Sequence, residues 1–84
     1  MTLPKIDLTT FFLSISSAAY MSMGASEQGS PRVDLELAKQ NIDLLELMQE
    51  KTRGNRTADE DRLVEQLLFE TRMKFIEVQK QYGK

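Results

Sequence analysis

The sequence predicts an all-α fold of three helices, an N-terminal helix followed by a long helical hairpin. Three observations carry that prediction. Apolar residues recur at helical spacing in three segments, near 8–23, 35–53 and 58–82. Between the second and third stands Arg53-Gly54-Asn55-Arg56-Thr57-Ala58-Asp59-Glu60. Gly54 can take the positive φ that ends a helix, and Thr57 with Glu60 has capping-box spacing for the next. The two Pro and four Gly all fall at predicted element ends except Gly83.

At 84 residues the chain is read as a single helical domain over 1–84 with a thin core. With no Cys and no His, disulfides and the common zinc sites are excluded, which leaves oligomerisation as the usual source of added stability. The net charge of −2, with both signs interspersed, argues against a general nucleic-acid binder.

The first helix is expected over about 8–23, capped by Asp7 or Thr9 and ended by Gly24. Leu8, Phe11, Phe12, Ile15, Ala18, Ala19 and Met23 fall on one side at about 100° per residue. The opposite side holds Thr, Ser, Leu13, Tyr20 and Met21, without a charge from Leu8 to Ser26. Such a helix is expected to be covered on more than one side. Phe11, Phe12 and Ile15 form a candidate docking face, and Ser14, Ser17, Ala18 and Ser22 supply small surfaces for close helix approach. Hydroxyl residues dilute the run, Asp7 offsets Lys5, and the apolar core from Phe11 to Ile15 is short. Neither a spanning helix nor a secretory signal is therefore expected, and the chain reads as cytoplasmic. Residues 24–33 read as a polar linker that could let helix one reach a neighbouring subunit.

The second helix is expected over about 35–53, with Asp34 at its start and Val33 packing back on the first turn. Leu35, Ala38, Ile42 and Leu45 make one stripe; Leu37, Leu44 and Met48 make a second, with Asn41 between them. The third helix, about 58–82, carries a main stripe of Leu63, Val64, Leu67, Leu68, Thr71, Phe75, Val78 and Tyr82. A Glu70–Lys74 pair is expected on its flank. On its back, Phe69, Met73 and Ile76 recur at i, i+4 and i+7. A helix packed against its hairpin partner alone would not need that second patch. The favoured architecture is thus a hairpin completed by homo-oligomeric bundle packing, with Leu37, Asn41, Leu44, Met48, Phe69, Met73 and Ile76 as candidate interface. Asn41 would help set register there. The alternative is a closed three-helix monomer.

Phe12-Leu13-Ser14-Ile15-Ser16-Ser17, the run from Val33 to Glu46, Glu50-Lys51-Thr52-Arg53-Gly54-Asn55, and Leu67-Leu68-Phe69-Glu70-Thr71-Arg72-Met73-Lys74-Phe75 resemble a bacterial domain-of-unknown-function family, DUF1844. The resemblance spans nearly the whole chain. It implies a small, cytoplasmic helical protein and supplies no activity. The chain departs from the family at Ala18-Ala19-Tyr20-Met21-Ser22-Met23, where members often carry a Leu-rich stretch.

Catalytic and metal chemistry find little footing. Glu46 and Glu50 are i,i+4, and Asp59, Glu60 and Asp61 cluster, yet bundle di-metal sites add His, and acids at a helix start suit its dipole. The serines have no His base. No enzyme activity and no cofactor are expected. The turn cations Lys51, Arg53 and Arg56 are the best anion-contact candidates, although Lys51 and Arg53 also suit the end of helix two. Three functional readings follow: a non-enzymatic homo-oligomeric interaction or scaffold module, docking to a membrane or partner protein through helix one, and anion or RNA contact through Lys51–Arg62. Another copy of the chain is the foremost expected partner, then another protein; nucleic acid and membrane rank below both.

Overall fold

The computed structural model describes residues 7–24 and 33–82. Three helices make up the fold: α1 (Leu8–Ser22), α2 (Leu35–Lys51) and α3 (Ala58–Tyr82). Lys5 and most of the expected linker, residues 25–32, lie outside the described residues.

Local chemistry sets each helix boundary. The Asp7 carboxylate accepts from the Thr10 amide at 2.8 Å and caps α1. That backbone hydrogen bond, chief among its causes, holds the Asp7 carboxyl below its ordinary value. Met23 closes the helix, followed by Gly24 at φ +91. Asp34 caps α2 by accepting from Leu37 N at 3.0 Å. The two ends of the 24–33 connection meet, since Asp34 N donates to Ser22 O at 2.7 Å and Met23 forms an antiparallel bridge with Val33.

The hairpin turn is built by the residues that announce it. Thr52 caps α2, its hydroxyl donating to Met48 O at 2.6 Å. Gly54 takes φ +84. Thr57 N donates to Glu60 Oε1 at 2.7 Å while Glu60 N donates to Thr57 Oγ1 at 3.1 Å, a reciprocal capping box. No atom stands within 4 Å of where a Gly54 Cβ would lie. Gly54→Ala should therefore cost about 1–2 kcal/mol through left-handed backbone strain alone, with no steric clash. Gly54→Asn should cost less, because Asn tolerates that region. An unchanged urea midpoint for the alanine variant would refute this account.

All three helix pairs are in contact, α1 with α2 most extensively. The core takes Phe12, Ile15 and Ala19 from α1, Met23 beyond it, Ala38, Ile42 and Leu45 from α2, and Val64, Leu67, Leu68 and Val78 from α3. Leu8, Val33, Leu35, Met48, Leu63 and Phe75 pack around it. Thr71 is fully buried and satisfies its hydroxyl by donating to Leu67 O at 2.7 Å.

Three details depart from the expectation. The small residues that let α1 sit close are Ser16, Ala19 and Ser22; Ser14 and Ser17 face outward and Ala18 is half-buried. Helical rotation explains this, because 12, 16, 19 and 23 share the inward side. Tyr82 ends the main stripe of α3 yet is 63% exposed, standing at the helix terminus beside Val33–Glu36. Glu70 accepts from Gln66 Nε2 at 3.1 Å, and Lys74 lies 3.6 Å from Glu77 in place of Glu70. Exposed partners of this kind exchange at small cost.

Candidate functional site

The back of α3 is apolar and open. Phe69 is 66% exposed, Met73 53% and Ile76 46%. Helical spacing puts them in one row opposite Val64, Leu68 and Thr71, which face the core. Glu70, Lys74, Glu77 and Lys80 flank the row, and Tyr20 of α1 joins them in a broad open groove. Burial, and secondarily the Glu70 charge, push the Tyr20 phenol above its ordinary pKa. On the other flank Arg72 reaches across to pair with Glu46, tying α3 to α2.

The α2 candidates divide. Leu37 and Leu44 are exposed, whereas Met48 is half-buried against the core. Asn41 is half-buried and donates through Nδ2 to Leu37 O at 3.1 Å, so its amide is partly satisfied within its own helix. Leu47, exposed as well, escaped the sequence reading. Its i+3 spacing from Leu44 was the available signal.

The helix-one docking face does not hold as a unit. Phe12 and Ile15 are core residues, and Phe11, at 38% exposure, is the one of the three that reaches the surface. The outward side of α1 is instead marked by Leu13 and Met21. Phe11 and Phe12 are neighbours in sequence and thus about 100° apart on the helix, which separates them between surface and core.

The turn cations are similarly split. Lys51 and Arg53 are exposed, but the Arg56 side chain is 11% exposed. Its Nε lies 2.8 Å from Asp61 Oδ1 as an ion pair. Nε and Nη1 are buried without a well-aligned hydrogen-bond acceptor. Arg56 thus braces the start of α3 from within and is not presented outward with Lys51 and Arg53. Each acid at that helix start has a local partner: Asp59 pairs with Arg62, Glu60 caps Thr57 and Asp61 meets Arg56. Among the described residues no group of three or more such side chains is placed to hold a metal ion. No described helix is long and apolar enough to cross a membrane.

No curated protein matches the chain, and no solved structure does. A family match does exist: residues 5–77 fit the family described as a domain of unknown function, DUF1844. That match takes in the described parts of α1 and α2 and most of α3, including Phe69, Met73 and Ile76, and on it the chain belongs to the DUF1844 family.

Proposed function

We propose that this DUF1844 chain is a non-enzymatic, cytoplasmic helical module that associates with copies of itself through the back of α3. One observation carries the reading: Phe69, Met73 and Ile76 form an unbroken exposed apolar row on a helix whose opposite side already fills the core. Contiguous apolar surface of this kind, rimmed by charge, is the usual mark of an interaction site. A chain of this length also buries too little surface to waste its aromatic and branched residues on solvent. Light scattering at micromolar concentrations should report a mass above the monomer. A strict monomer across the accessible concentration range would overturn the proposal.

A second reading, docking of α1 to a membrane surface or another protein, is favoured by Leu13 and Met21, which stand exposed on a helix without a charged residue. Liposome flotation tests the membrane version. Vesicles should carry the protein upward, and that movement should be lost with Met21→Glu; protein that stays wholly in the bottom fraction removes this version.

A further inference from the structure

Phe69 is the most exposed large apolar residue in the described chain, and acids stand beside it, Glu70 next in sequence and Glu65 one turn earlier. On the α2 side of the same helix lies an open cleft of about 260 Å³, lined by Lys39, Ile42, Arg72, Phe75 and Ile76. Its walls are apolar and its rim carries two cations. The volume falls below the roughly 300–1,000 Å³ of a cofactor or drug-sized site, which suits an inserted side chain. Ile76 belongs both to this cleft and to the exposed row of α3, so cleft and row form one surface.

From that continuity we infer an antiparallel, two-fold dimer in which Phe69 of each copy enters the Lys39–Arg72 cleft of the other. The inference rests on the self-association proposed above and adds its partner surface and register. Phe69 and Ile76 are seven residues apart, about 10 Å along the helix. A two-fold axis passing between Arg72 and Met73 therefore seats both rings at once and closes the assembly. The same axis brings Glu65 beside the partner's Lys80. The acids next to Phe69 meet the basic rim, and the ring lies where Lys39 and Arg72 can approach its face. Lys39 and Arg72 already hold Asp43 and Glu46 on their own chain, but these are exposed pairs that rearrange at small cost. Glu46 also offsets the approach of the two Arg72 side chains near the axis. A parallel pairing would instead stack Phe69 on Phe69, leave the cleft empty and place Glu65 beside the partner's Glu65, acid against acid.

Charge reversal tests the register. Glu65→Lys or Lys80→Glu alone should raise the dimer dissociation constant about tenfold, since each dimer holds two copies of the contact. The double variant should return to within about twofold of the parent. Cysteine trapping supplies an independent readout, because the chain contains no Cys. Residues 65 and 80 are about 22 Å apart on one helix, too far for a bond within the chain. Glu65→Cys with Lys80→Cys should therefore give covalent dimers on oxidation, and Glu65→Cys alone should not. A parent protein that is monomeric defeats both this inference and the proposed function. A parent that associates, shows no rescue by the double reversal and cross-links through Glu65→Cys alone overturns the antiparallel register and leaves self-association standing.

Discussion

Phe12→Ala is expected to remove about 3–5 kcal/mol of stability, the typical cost of emptying a fully buried aromatic position. The number matters because of the size of the chain. At roughly 0.05–0.15 kcal/mol per residue, 84 residues hold about 4–13 kcal/mol in total. Phe12 is 0% exposed and belongs to the core that α1 shares with α2 and α3. Around it α1 brings small side chains, Ser16 and Ala19, which cannot swing in to fill the space. The variant should be partly unfolded at 37 °C, and its urea midpoint by circular dichroism should fall steeply. A loss below about 1.5 kcal/mol would mean that the α1 packing is looser than described. Phe11→Ala is the matched control: the same chemistry at a surface position should cost about 1 kcal/mol or less.

Phe69→Glu should have the reverse profile, abolishing assembly while leaving the fold of each chain nearly intact. At 66% exposure the ring contributes little to the monomer core, and surface changes usually stay within about 0.5 kcal/mol. In an interface the same residue would be an aromatic anchor, whose loss can cost 2 kcal/mol or more, roughly thirtyfold in affinity. Scattering mass should drop to the monomer for Phe69→Glu and for Met73→Lys. Lys74→Glu, which changes a flanking charge, should weaken assembly far less. Equal effects of all three would count against the α3 row as the interface. Helicity of the dissociated variants should match the parent, and any remaining difference in melting should vanish on dilution of the parent, as linkage to assembly demands.

The fold was legible because its signals are local. Asp7, Asp34 and the Thr57–Glu60 box satisfy amides within one turn, and Gly54 relieves strain at its own position, so each could be read from a few consecutive residues. Periodicity likewise placed Ala38, Ile42, Leu45, Val64, Leu67 and Leu68 inward. The site was legible in part. The exposed row of α3 could be anticipated because it lies opposite a stripe already committed to the core. The docking face of α1 was misread because a rotation of about 100°, little more than a quarter of a turn, decides whether Phe11 or Phe12 faces inward, and both have the same hydropathy. Arg56 was misplaced for another reason. Nothing in its neighbours in sequence announces that its guanidinium turns toward Asp61 and the interior.

By itself the sequence determined three helices, their caps, the hairpin and an excess of apolar faces, since all of these follow from backbone hydrogen bonding and spacing along one chain. The tertiary structure alone decided which face of α1 is buried and which cations remain at the surface. It alone shows that Lys39 and Ile42 of α2 share a cleft with Arg72, Phe75 and Ile76 of α3. Those features depend on how helices rotate and approach one another, and residues some thirty positions apart meet there through packing that no local pattern encodes.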